Sequence, residues 1–234
     1  MACSVDAALL EIEGVLFDTR AIRRSTLQDA LREHGLATPV EPDLVDGLAP
    51  RDAAAAALRR SAHTDAAHDE VLLDLVRASA ERLFASHLST AGVALCPGAL
   101  DFVRESAAMT RLTVVTRARR DEAQALLRLA SLDEFISTVV TADDVADAKP
   151  SAEGHRRAIE RLSRQRPVDE RSVIVVDDSS AGIRSAHAGG LRCIAVGPLP
   201  AHVAVDADAY VESLVGHTVR TLELLSRPGR ERVQ

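Results

Sequence analysis

A chain of 234 residues with 47% hydrophobic and 27% charged residues has the composition of a folded protein of one large or two modest domains, and not of a disordered one. A net charge of −7 and a pI near 5.6 run against a duplex nucleic-acid binder, which needs a basic face for phosphate contacts, and 2% aromatics with no Trp leave little to stack on bases. No apolar run reaches the ~18 residues of a membrane span, and no basic segment followed by an apolar signal core stands at the start, so no membrane or nucleic-acid partner is expected and the expected location is cytoplasmic.

In chain order, AALLEI at 7–12 reads as a buried strand that runs into two acids one residue apart, Glu11 and Glu13, followed by Gly14. From about 20 to 89 no clear strand appears, and Ala, Leu, Arg and Glu dominate. Helices are expected at 21–34, 51–60 and 70–84, joined by the turn-rich VEPDLVDGLAP at 40–50, as a small inserted bundle. Pro97-Gly98 marks the return to an α/β pattern. LTVVT at 112–116, STVVT at 137–141, SVIVV at 172–176 and RCIAV at 192–196 then read as strands. Between them, 121–130 places Ala123, Leu126, Leu127 and Ala130 on one helix face. His155, Ala158, Ile159 and Leu162 share a face in 151–162, and Gly189 and Gly190 close a helix begun near Ser180. Strands alternating with helices imply a parallel sheet. Residues 1–20 and 90–234 form the α/β part, 21–89 the helical insertion, and RPGRERVQ a polar tail. Cys3, Cys96 and Cys193 are few, odd in number and far apart, and read as small apolar residues.

Four polar features sit at strand ends: the Glu11/Glu13 pair, Thr116, Lys149 in DAKPS, and Asp177/Asp178 in VIVVDDSSAG. The carboxyl edge of an open parallel sheet is where ligands bind, so these residues converge if their strands are neighbours. Each alone has an ordinary explanation. A Thr at a strand end satisfies local backbone, Lys before Pro is commonly a solvated loop residue, and Asp-Asp-Ser-Ser suits a helix N-cap. Lys149 stands out further as the only lysine among 28 basic residues.

Taken in order, LLEIEGVLFDT, the strand ending at Thr116, the PGA turn at 97–99, KPxxE at 149–153 and VIVVDDSSAGIRSAHAGG resemble the haloacid dehalogenase superfamily. The likeness is to its phosphoglycolate phosphatase and β-phosphoglucomutase-like branch. It implies a Rossmann-like doubly wound sheet carrying a helical cap, and a magnesium-dependent phosphatase that cleaves a small phosphorylated metabolite through an acyl-phosphate, as monomer or homodimer. On this chain it implies Glu11 as nucleophile and metal ligand, and Glu13 as acid/base and ligand through its carbonyl. Thr116 and Lys149 are implied as phosphate contacts, Asp178 as a magnesium ligand, and Asp177 as a residue that ligates or orients the ion. Arg117, in place of a small polar residue, is a candidate second phosphate contact. Arg51, in the stretch GLAPRDA that is similar to the cap specificity loop, is a candidate substrate contact.

The departure lies in Glu11 and Glu13, where the family has Asp. Each extra methylene moves a carboxylate by about 1.5 Å. An active phosphatase with an adjusted backbone and a protein that binds magnesium and a phosphorylated ligand without efficient turnover both fit this pattern. A phosphosugar mutase fits less well, because Arg23 stands where mutases often have His. None of the eight His has a metal-ligand spacing.

Overall fold

The computed structural model describes residues 5–41, 48, 50–61 and 69–227. The turn at 42–47, His63, His68, Cys3 and the tail beyond Arg227 lie outside the described residues.

The chain divides into two compact units, one formed by residues 1–17 and 95–234 and the other by 18–94. The first is built on six parallel strands, β1 (Ala7–Leu10), β4 (Arg111–Val115), β5 (Ile136–Val140), β6 (Val173–Asp177), β7 (Arg192–Val196) and β8 (Ala209–Val211), in the order β5-β4-β1-β6-β7-β8. This is the parallel sheet that the alternating pattern predicts, doubly wound as the family resemblance implies. β8 is the strand that pattern reasoning misses, because AYV is only three residues long and just one of them is buried. β1 is central and all four of its residues are fully buried, hence its unbroken apolar run.

Alternate residues face opposite sides of the sheet. Leu9, Val115, Val173, Val175, Cys193 and Ala195 pack with Ala158, Ile159 and Leu162 of α6 (Glu153–Ser163) and with Ile183 and Ala186 of α7 (Ser180–Ala188). The complementary set, Ala8, Leu10, Leu112, Val114, Ile174 and Val176, is equally buried. On that unit α4 (Ala99–Ala107) packs against β4 and α9 (Val219–Leu225). α5 (Arg120–Leu129) buries Ala123, Leu126 and Leu127, whereas Ala130 lies just past its end. The remaining short helix is α8 (Ala201–Ala204).

The second unit holds α1 (Arg20–Glu33), α2 (Pro50–Arg60) and α3 (Glu70–Ala91). Leu27 and Leu31 of α1, Ala54, Ala57 and Leu58 of α2, and Leu73 and Val76 of α3 form its core. α3 continues seven residues past the 84 at which the apolar pattern fades, because Leu88 still finds a buried place. The segments joining the units, β2 (Phe17–Asp18) and β3 (Ala94–Leu95), pair with each other. Among the described residues no helix is long and apolar enough to cross a membrane.

Candidate active site

Register decides which side chains meet. Leu10 of β1 is level with Val114 of β4 on one side and with Val176 of β6 on the other. The next residues, Glu11, Val115 and Asp177, therefore emerge side by side at the carboxyl edge. Glu11 N–H continues the ladder by donating to the Val176 carbonyl at 3.0 Å. This is the point where the chain winds outward in both directions from β1, the position at which open parallel sheets form their ligand crevice.

Lys149 closes the group. It is reached 138 residues after Glu11 in the sequence, yet its ammonium donates to Glu11 Oε2 at 2.7 Å, to Asp177 Oδ2 at 2.7 Å and to the Val115 carbonyl at 2.8 Å. An ammonium has three N–H bonds, and all three are used. Its side chain is 5% exposed, and those of Glu11 and Asp177 are 4% and 0% exposed. Burial opposes the charge on Lys149, but the Asp177 and Glu11 carboxylates outweigh it and hold its pKa above the ordinary lysine value. Burial likewise disfavours the Asp177 carboxylate. The Lys149 charge and hydrogen bond, bonds from Ser179 and the Arg117 charge outweigh that, so its pKa lies below the ordinary carboxylate value.

The other oxygens are held as well. Asp177 Oδ1 accepts from Ser179 N–H at 3.0 Å and Ser179 Oγ at 2.8 Å, and Ser179 Oγ in turn accepts from Gly182 N–H, capping α7. Glu11 Oε1 accepts from the N–H of its own neighbour Ile12 at 2.8 Å. The longer side chain thus curls back against its strand end. Asp178 lies across the loop that follows β1: Gly14 has φ +75°, and a Cβ built there would sit 1.8 Å from Asp178 Oδ2. Gly182 makes the same kind of room for Asp177, whose carboxylate would lie 1.9 to 2.0 Å from a Cβ. Both glycines are close-approach positions as well as turn or helix residues.

Glu13, half-buried, forms an isolated parallel bridge with Phe17 in this loop. Thr116, at the end of β4, is buried; its N–H bonds the Val140 carbonyl, and its Oγ1 accepts from Ala118 N–H at 3.1 Å. Arg117 is half-buried beside it. A small cavity lined by Thr116, Arg117, Thr141, Asp147 and Lys149 opens at this edge. Arg51 belongs to α2 in the helical unit, where its guanidinium is paired with Glu70 and Asp74 of α3. Sequence reasoning misses Ser179, Gly182 and the Val115 carbonyl as parts of the site. Ser179 was legible only as a cap, and a backbone carbonyl carries no sequence signal.

Residues 9–196 match the family model described as haloacid dehalogenase-like hydrolase. Protein CbbY of Cereibacter sphaeroides is 27% identical over 198 residues, covering 81% of this chain and 83% of that protein. Validoxylamine A 7'-phosphate phosphatase of Streptomyces hygroscopicus subsp. limoneus is 27% identical over 209 residues, covering 88% and 90%. The crystal structure of CbbY from Rhodobacter sphaeroides in complex with phosphate superposes with a TM-score of 0.79 at 22% identity, over 94% of this chain and 99% of that one. The chain belongs to the haloacid dehalogenase-like hydrolases.

For the magnesium ion that the family implies, the donors on offer are all oxygens, Glu11, Asp177, Asp178 and the loop backbone at Glu13, which suits a hard divalent cation. The approach of Asp178 over Gly14 brings the late acidic pair against the early one. Among the described residues no three acidic, His or Cys side chains come together as a cation-enclosing cluster. The donor chemistry fits, with the Lys149 ammonium between the Glu11 and Asp177 carboxylates.

Proposed function

We propose that this hydrolase is a magnesium-dependent phosphatase acting on a small phosphorylated metabolite. The observation that carries the reading is the Lys149 ammonium held 2.7 Å from both Glu11 and Asp177 at the carboxyl edge of the sheet. Support for the phosphoryl substrate comes from the family and from the Streptomyces relative named for a 7'-phosphate.

The residues work as follows. Glu11 attacks phosphorus in line, forming an acyl-phosphate as the ester P–O bond breaks. Glu13 gives its proton to the departing alkoxide and takes one from the water that next attacks the acyl-phosphate, so alcohol and inorganic phosphate leave, the Glu11 carboxylate is freed and Glu13 is again protonated. Thr116 Oγ–H donates to the phosphoryl oxygens where negative charge spreads, and Lys149, whose three hydrogens are taken, contributes through its positive charge, with Arg117 adding to the field. Glu11, the Glu13 carbonyl, Asp177 and Asp178 would hold the metal. When bound, the ion supplies Lewis-acid neutralisation of the transferring phosphoryl group. We assign choice of metabolite to the helical unit 18–94 as a cap, and a cytoplasmic location and a monomeric or dimeric state complete the reading.

One observation favours a second reading, a binding protein of low turnover: Glu11 Oε1 is engaged by Ile12 N–H and Oε2 by Lys149, so the carboxylate is tied back at both oxygens. Phosphate release from a panel of esters with magnesium separates the two, comparing wild type, Glu11→Asp and Glu11→Ala. Turnover in wild type that disappears in the Ala variant supports the phosphatase. Turnover that appears only in the Asp variant overturns it in favour of the binding protein.

A further inference from the structure

The loop that carries Lys149 is held from both sides. Upstream, Glu153 Oε2 accepts from the N–H groups of Ala146 at 3.1 Å and Asp147 at 2.9 Å. Downstream, the carbonyl of Ser151, two residues past Lys149, accepts from Ser185 Oγ at 2.6 Å. Ser185 is fully buried on α7, the helix that begins directly after Asp177 and Asp178. His155 of α6 lies 3.0 Å from the same Oγ through Nδ1.

Proton counting settles the direction. A serine hydroxyl has one hydrogen, and the Ser151 carbonyl can only accept, so Ser185 donates there and accepts from His155 Nδ1–H. Nδ1 therefore carries a hydrogen, and in the neutral ring Nε2 bears a lone pair. That atom is buried and, among the described residues, has no hydrogen-bond partner. Burial, with the nearby Lys149 charge acting in the same direction, pushes His155 down to about 4, consistent with a neutral ring. Leu or Phe would fill this core position without leaving a buried nitrogen unpaired, so the imidazole is retained at a cost that its Nδ1–H must offset.

We propose that His155 and Ser185 are positioning residues for the phosphatase site. The relay from His155 Nδ1–H to Ser185 Oγ–H to the Ser151 carbonyl ties the Lys149 loop to the helix that follows Asp177, and so fixes the ammonium between Asp177 and Glu11. The inference rests on the phosphatase reading for its consequence in rate, and on geometry alone for the placement of Lys149.

The single lysine makes the placement measurable without turnover. Incorporation of lysine labelled with 13C at Cε gives one side-chain NMR signal, whose position reports the partners of Lys149. In wild type it is expected away from the free-lysine position. Ser185→Ala and His155→Leu are expected to move it toward the free-lysine position. They are also expected to reduce kcat about tenfold to 100-fold, in keeping with the cost of ~1 Å misplacement, and to change KM less than about threefold. His155→Asn, whose amide N–H can stand near the place of Nδ1–H, is expected to restore the wild-type signal. An unchanged lysine signal in Ser185→Ala and His155→Leu, with only a lower melting temperature, overturns the proposal, as does an Asn variant that behaves like Leu. If wild type releases no phosphate from any ester, the phosphatase reading fails, and the lysine signal still decides this one.

Discussion

Replacing Lys149 by Met keeps the length and bulk of the side chain and removes its charge. Two buried carboxylates are then left facing one another, since Glu11 Oε2 and Asp177 Oδ2 each lie 2.7 Å from Nζ and so no more than 5.4 Å apart (2.7 + 2.7). Removing one partner of a buried ion pair typically costs about 3–5 kcal/mol, and here two anions lose the same partner. That is a large share of the ~5–15 kcal/mol that a folded domain has in hand. The pH dependence follows from the sign of the shift on Asp177. Its pKa is depressed in the folded wild type, so its contribution is present above the unfolded carboxylate value and lost as pH falls through the folded value. In Lys149→Met the Lys149 share of the depression is removed, leaving Ser179 and Arg117 against burial and the facing Glu11 carboxylate, so the pKa rises and protonation on acidification favours the folded variant. Urea unfolding at a series of pH values is the assay. The variant is expected to be least stable relative to wild type near neutral pH and to close the gap as pH falls toward 4. A stability within about 0.5 kcal/mol of wild type at pH 7, the range of ordinary surface substitutions, with parallel pH profiles would refute the reasoning.

Three further outcomes follow from particular contacts. Gly182→Ala reverses a familiar rule: Ala in a helix normally gains about 1 kcal/mol over Gly, but this Cβ meets an Asp177 carboxylate held by Lys149 and Ser179, so calorimetry should show a loss of about 1–3 kcal/mol. Gly14→Ala combines φ +75° with overlap of Asp178, and a variant as stable as wild type in the same measurement would mean that Asp178 does not lie over the loop. Arg51→Ala loses only exposed pairs to Glu70 and Asp74 and should change stability by no more than about 1 kcal/mol in urea unfolding; a fall in activity at unchanged stability would then mark Arg51 as a substrate contact.

Much of the fold is written locally. The four longer strands after residue 100 and α1, α2 and α5 to α7 appear where apolar period and Gly or Pro punctuation place them, because each buries one face or both. The short elements β2, β3 and β8 do not, since two or three residues carry too little pattern, and the extra length of α3 follows from a core position for Leu88. Glu11, Thr116, Lys149, Asp177 and Asp178 were likewise legible as a set through their order and chemistry. Their mutual arrangement was not, because it depends on strand order and register across separations as long as the 138 residues between Glu11 and Lys149.

The sequence by itself determined the α/β class, the inserted helices, the family and the candidate acids with their single lysine. Those are properties of local pattern and residue type. Only the tertiary structure decided that Lys149 spends all three of its hydrogens on Glu11, Asp177 and the Val115 carbonyl, and that the longer Glu11 side chain turns back onto Ile12 N–H. It also decided that His155, unremarkable on an apolar helix face, meets Ser185 above the lysine loop. Hydrogen bonds are short and directional, so the partner of a buried polar atom is fixed by where the packed sheet and helices bring its neighbours, which spacing along the chain does not encode.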